Sequence, residues 1–217
     1  MMKAGAIFDM DGTLVDTEHM YREAWTELAV EYGRIPDPKF PRAVAGTNGN
    51  HMLEIIERYY PGIDSHSFRQ ACLDRVKEKV AQEVPAKIGM KEILHYLHEK
   101  GVKLAVASSN SVEQIEKNLR LCGVRSYFDA IVGGDEVVYG KPEPDIFLLA
   151  AERLGIPPWN CYVFEDGING VRAGVNAGCT TVMIPDGNLP TEEMYQICAG
   201  VYDTLLDVRN ALEQREI

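Results

Sequence analysis

Apolar and polar positions along the chain follow two different rhythms. Ala4 to Phe8 is a short apolar run that stops at Asp9-Met10-Asp11-Gly12-Thr13, the pattern of a buried strand opening into a turn. From His19 to Gly33, the residues Tyr21, Ala24, Trp25, Leu28, Ala29 and Tyr32 recur at the spacing of one helical face. Met52, Ile55, Ile56, Tyr59 and Tyr60 repeat that spacing, as do Phe68, Ala71, Cys72, Val76 and Val80 after a Ser65 cap. Helices that follow one another without an intervening strand predict a small helical bundle.

After Val84-Pro85 the pattern alternates between helix and apolar run, as parallel strands joined by crossovers require. Helices are expected over 90–100, 112–122, 144–154 and 205–214, and strands over 103–107, 130–132, 161–164 and 180–184. The simplest architecture is an α/β fold with a Rossmann-like parallel-sheet core formed by residues 1–16 and 85–217, and an inserted α-helical cap domain over 17–84. Leu14 to Thr17 and Glu83 to Lys87 are the expected paired hinges.

Composition narrows the possibilities. With 217 residues, 46% hydrophobic and 25% charged, the chain can bury a large core. No run approaches the roughly 18 consecutive apolar residues of a membrane helix, so no membrane partner is expected. A formal charge of −11 disfavours nucleic acid. Cys72, Cys122, Cys161, Cys179 and Cys198 are scattered without a C-x-x-C pair, and are expected to be buried thiols in a reducing compartment. The apolar run before Asp9 is too short for a secretory signal, so the cytoplasm is the default location. A monomer is the default for a lidded protein of this size.

Four polar clusters follow apolar runs: Asp9/Asp11, Ser108/Ser109/Asn110, Lys141 within Gly140-Lys141-Pro142-Glu143-Pro144, and Glu165/Asp166. Each has a plainer reading, respectively a turn, a helix cap, a solvated lysine and a second helix cap. In a parallel sheet, however, strand C-termini share one edge, and the four clusters would meet there. Gathered carboxylates repel one another unless a cation sits among them, and hard oxygen ligands favour Mg²⁺. A lysine and a hydroxyl beside such an ion complement a phosphoryl group.

Phe8-Asp9-Met10-Asp11-Gly12-Thr13-Leu14-Val15-Asp16-Thr17, Ser108, Lys141-Pro142 and Phe164-Glu165-Asp166-Gly167 resemble, in order, the four motifs of the haloacid dehalogenase superfamily. Within it the chain is similar to the branch of β-phosphoglucomutase and the small sugar-phosphate phosphatases. The resemblance implies that Asp9 is a nucleophile forming an aspartyl-phosphate and that Asp11 is the general acid and then base. It also implies that Asp9, the Asp11 carbonyl and Asp166 hold Mg²⁺, with Glu165 as a further or water-mediated ligand. Ser108 and Lys141 would bind the transferring phosphoryl, helped by the amides of Gly12 and Ser109, with Asn110 nearby.

The second acid, Asp11, separates this chain from the dehalogenases, and no cap lysine stands out as a phosphonatase Schiff base. The implied partner is a small phosphorylated metabolite. β-Phosphoglucomutases are expected to carry a cap-loop arginine and a histidine near the first cap helix; here Gly49 and Tyr21 stand at about those positions. That favours hydrolysis of sugar or polyol phosphates over mutase chemistry, with a non-catalytic phospho-ligand-binding protein as a third reading. Thr47, Asn48 and Asn50, polar and uncharged, are the expected substrate-hydroxyl contacts, and His51 is a residue that could face the cleft. Gly167 stands where a serine is often found, and Lys87-Ile88-Gly89 replaces a Pro-Gly turn at the second hinge.

Overall fold

The computed structural model describes residues 2–44, 47, 49–82, 84–187 and 189–217. The chain divides into two compact units, residues 1–16 with 85–217 and residues 17–84. In the larger unit, β1 (Gly5–Phe8), β2 (Lys103–Ser108), β3 (Ala130–Gly133), β4 (Cys161–Glu165), β5 (Thr180–Met183) and β6 (Gly200–Val201) form one parallel sheet in the order β3-β2-β1-β4-β5-β6. β1 is completely buried between β2 and β4, which is why it reads as a continuous apolar run rather than an alternating one.

Alternate residues of each strand serve the two faces of the sheet. Ile7, Ala105, Ala107, Val132 and Val163 form a core with Phe147, Ala150 and Leu154 of α7 (Asp145–Leu154) and Ala173 of α8 (Ile168–Asn176). On the other face Phe8, Leu104, Val106, Tyr162 and Phe164 are equally buried, and the Phe8 and Phe164 rings lie 4.7 Å apart. Burying large apolar side chains on both faces fixes the register, since a one-residue slip would exchange the two faces. The crossover segments include α5 (Met90–Glu99) and α6 (Val112–Leu121), and α9 (Glu192–Ile197) and α10 (Leu205–Gln214) follow later. The short β6 and α9 lack any clear periodic signal in the sequence.

The smaller unit contains α1 (Thr17–Glu31), α2 (Phe40–Val44), α3 (Gly49–Tyr59) and α4 (Ser65–Gln82). Its centre is aromatic: Trp25 lies 5.3 Å from Phe40 and 5.4 Å from Phe68, and Phe40 lies 4.8 Å from Tyr60, measured between ring centroids. The helical stripes, Trp25 included, are therefore packing residues. α2 was not visible as a separate element, being a single turn of five residues. The expected Ser65 cap is corrected: Asp64 supplies the accepting oxygen for the amides of His66 and Ser67, at 3.2 and 3.3 Å, so the cap sits one residue earlier. The cysteine expectation is also corrected in part, because Cys122, Cys179 and Cys198 are only half-buried, whereas Cys72 and Cys161 are buried; among the described residues none of the five is in a disulfide.

Candidate active site

Sheet register brings the polar clusters together. Phe8 pairs with both Val106 and Phe164, so the chain leaves β1 at Asp9 level with Ala107 of β2 and Glu165 of β4. The Asp9 amide donates to the Phe164 carbonyl at 2.9 Å, extending the strand pairing by one residue. The chain then folds back sharply, with the amides of Leu14 and Val15 donating to the Met10 carbonyl at 2.9 and 3.0 Å. Gly12 has φ +82°, where an L side chain is strained, and a Cβ there would collide with the Asp166 carboxylate. Glycine is thus required for two reasons at this turn.

Asp9, Glu165 and Asp166 each offer a carboxylate oxygen, and these oxygens lie within 4.8 Å of one another. Lys141, from the segment before α7, reaches into the group with its Nζ 2.5 Å from Asp9 Oδ1 and 2.8 Å from Glu165 Oε1. Its ammonium also donates to the Ala107 carbonyl at 3.3 Å and sits 5.0 Å from the centre of the Phe147 ring. Glu165 Oε2 accepts from the Gly167 amide at 2.7 Å, so both oxygens of Glu165 are already engaged. A Cβ on Gly170 would overlap the Glu165 carboxylate, and the absence of a side chain on that turn of α8 makes room for the acid.

Asp11 Oδ2 accepts from the side-chain amide of Asn110 at 2.5 Å. Asn110 is therefore placed against the second acid, a contact across 99 residues of sequence that no local pattern could reveal. Ser108 is buried at the end of β2, with its hydroxyl accepting from the Asn110 amide at 3.2 Å, while Ser109 is exposed. The helix that follows is capped by Ser111, whose hydroxyl accepts from the Gln114 amide, which leaves Ser108 free of that capping task. Asp9, Asp11, Ser108, Ser109, Lys141, Glu165 and Asp166 line one cleft of about 680 Å³.

Burial dominates the electrostatics. It raises the Asp9 pKa to about 8, with the Glu165 and Asp11 charges adding to the rise and Lys141 opposing it. Asp166 is pushed well above the usual carboxylate range by burial, then by the charges of Glu165, Asp9 and Asp186. Burial works against the Lys141 charge, but the Asp9 and Glu165 carboxylates outweigh it and hold its pKa above the ordinary lysine value. If all three were ionised, the carboxylates would exceed the one ammonium by two negative charges, which is why burial without a cation holds protons on them. An all-oxygen donor set with that excess charge fits a hard dication such as Mg²⁺.

The other candidate residues make the following local contacts. The Gly12 amide, expected to face a phosphoryl group, donates instead to the Val15 carbonyl at 2.8 Å, because the tight turn uses it internally. The Thr47 hydroxyl donates to the Val44 carbonyl at 2.7 Å and ends α2. Asn50 is exposed in the first turn of α3, and Asn48 lies outside the described residues. His51 is an exposed neighbour of Glu54 on its own helix, 3.7 Å away. Sequence reasoning passed over Asp186, an acid three residues beyond the end of β5 in Met183-Ile184-Pro185-Asp186, whose charge acts on Asp166.

A family model described as haloacid dehalogenase-like hydrolase matches residues 6–184. The chain is 36% identical over 173 residues to a phosphorylated carbohydrates phosphatase of Thermotoga maritima, covering 79% of this chain and 80% of that protein. It is 35% identical over 180 residues to a fructose-1-phosphate phosphatase of Escherichia coli, covering 82% and 95% respectively. Among solved structures it is similar to a hydrolase of Deinococcus radiodurans with bound phosphate and sodium, at a TM-score of 0.84 and 26% identity over 98% of this chain and 96% of that one.

Proposed function

This chain belongs to the haloacid dehalogenase-like hydrolases, and from that premise we propose that it hydrolyses small phosphomonoesters, sugar or polyol phosphates foremost, through an aspartyl-phosphate on Asp9. The observation that carries this reading is the group of Asp9, Glu165 and Asp166, the first two buried, with Lys141 bonded to two of them and Asp11 at the same cleft. The two phosphatases named above support sugar phosphates as the substrate class.

The roles follow from which atoms are already engaged. Asp9 Oδ1 is held by Lys141, which aims the carboxylate and leaves its other oxygen to attack phosphorus. As the Asp9–phosphorus bond forms and the bond to the leaving oxygen breaks, Asp11 gives its proton to that oxygen. Asn110 fixes the Asp11 carboxyl for this transfer. Asp11 then takes a proton from the water that attacks the phospho-aspartate, releasing inorganic phosphate and restoring Asp9. Ser108 and Lys141 bind the oxygens of the transferring group.

Asp9 and Asp166 are the residues that would hold Mg²⁺ directly, since Glu165 is already committed to Lys141 and the Gly167 amide. When bound, the ion neutralises the charge of the carboxylates and the phosphoryl oxygens. It also favours the ionised form of Asp9, which burial alone disfavours.

The test is inorganic phosphate release with Mg²⁺ across sugar, polyol and nucleoside monophosphates, with Asp9→Asn as control. Release lost in the variant is the expected result. Isomerisation of β-glucose 1-phosphate to glucose 6-phosphate without release would overturn it in favour of a mutase, and silence with every ester would favour a binding protein.

A further inference from the structure

β5 runs beside β4, and the chain leaving it stays beside the acids at the end of β4. The Ile184 amide donates to the Glu165 carbonyl at 2.7 Å, and Pro185 and Asp186 follow. The Asp186 side chain is only 10% exposed. Its Oδ1 lies 3.1 Å from the Nζ of Lys87, but its Oδ2 is buried without a hydrogen-bond partner among the described residues.

Lys87 is itself fastened to the loop that carries the catalytic acids. Its amide donates to the Leu14 carbonyl at 2.9 Å, and its neighbour Ala86 bridges Val15. The Lys87–Asp186 pair thus ties the loop after β1 to the segment after β5, with Asp166 between them in the sheet order and close enough to feel the Asp186 charge. A strut between two loops would need only one carboxylate oxygen. A second carboxylate oxygen, buried and without a partner among the described residues, calls for a strongly polarised donor. Water bound to a divalent cation is such a donor, and outer carboxylates of this kind orient and retain metal ligands.

We propose that Asp186 is a positioning residue for the cation site, with Oδ2 accepting a hydrogen bond from the hydration shell of the ion held by Asp9 and Asp166 and Lys87 holding Oδ1. This rests on the cation reading of the site. It makes the site larger than its sequence motifs: a carboxylate twenty residues beyond Asp166 takes part in holding the ion.

The test is the affinity of the full chain for Mn²⁺, read from the resonance of the free ion, for the wild type, Asp186→Asn, Lys87→Gln and Asp166→Asn, with melting temperatures recorded without ion. The expected result is a loss of about tenfold or more in Mn²⁺ affinity for Asp186→Asn and a smaller loss for Lys87→Gln. In the wild type, Mn²⁺ should raise the melting temperature, and Asp186→Asn should blunt that rise. Wild-type affinity in both Asp186→Asn and Lys87→Gln, with Asp166→Asn impaired, would overturn the positioning role and leave the cation site standing. No Mn²⁺ binding by the wild type, or none lost in Asp166→Asn, would overturn the cation reading itself. If Asp186→Asn fails to fold, Lys87→Gln decides: unchanged Mn²⁺ affinity there overturns the proposal.

Discussion

The two units of the molecule use charge in opposite ways. In the sheet unit, buried Asp9 and Glu165 and half-buried Asp166 and Lys141 gather at the end of the strands, where each charge acts on the others with little screening. In the helical unit the interior is aromatic, and the charges lie outside it: Arg75 meets Glu31 at 2.8 Å, and Lys79 meets Glu27 at 2.8 Å and Glu23 at 3.1 Å. The first arrangement sacrifices stability for a reactive carboxylate, whereas the second is optimised for packing and tolerates the loss of any one pair.

Substitution should expose that difference, first in activity. Asp9→Asn is expected to lower phosphate release by roughly 10⁴-fold or more, with no loss of fold by circular dichroism. Retention of even a tenth of the activity would remove Asp9 from its role. In the helical unit the large effect should fall on stability instead. Phe40, fully buried among Trp25, Tyr59, Tyr60 and Phe68, should cost about 3–5 kcal/mol when replaced by alanine, measured by denaturant unfolding.

A smaller effect of opposite sign is expected at the sheet edge. Asp166→Asn removes a carboxyl whose ionisation burial and neighbouring acids oppose, and should raise the melting temperature without divalent ion by roughly 2–4 °C while impairing catalysis. A lowered melting temperature would show that the acids are not in conflict. The smallest effect should come from Arg75→Met. The Glu31 carboxyl is held below its ordinary value of 4.5 by its hydrogen bonds to Arg75. Its stabilising contribution is therefore present above that value and is lost as pH falls through the lower, folded value. The small difference in melting temperature between Arg75→Met and the wild type at pH 7 should vanish in acid, and a gap that widens in acid would reverse the assignment.

The same contrast explains what could be read from the chain. β1, β2 and β4 are legible because strands buried on both faces are unbroken apolar runs, and the acids that interrupt them at Asp9 and Glu165 stand out. Their meeting was legible only through topology, since parallel strands bring their C-terminal ends to one edge. What stayed hidden was pairwise. Nothing local says that Asn110 bonds Asp11, that the Gly12 amide is consumed by Val15, or that both oxygens of Glu165 are engaged. The Thr47 hydroxyl shows why such groups are ambiguous in a sequence: a nearby backbone carbonyl competes for them, and here it donates to Val44.

The most direct measurement is to look for the phosphoryl group on Asp9. Asp11→Asn lacks the base for the second step, while an aryl phosphate, whose leaving group needs no acid, still allows the first. Acid-quenched peptide mass spectrometry of Asp11→Asn with Mg²⁺ and an aryl phosphate should therefore find phosphorylation on the peptide containing Asp9, and none in the Asp9→Asn/Asp11→Asn double variant. Phosphate release that continues with Asp9 unmodified at every quench time, and that survives in Asp9→Asn, would contradict the account.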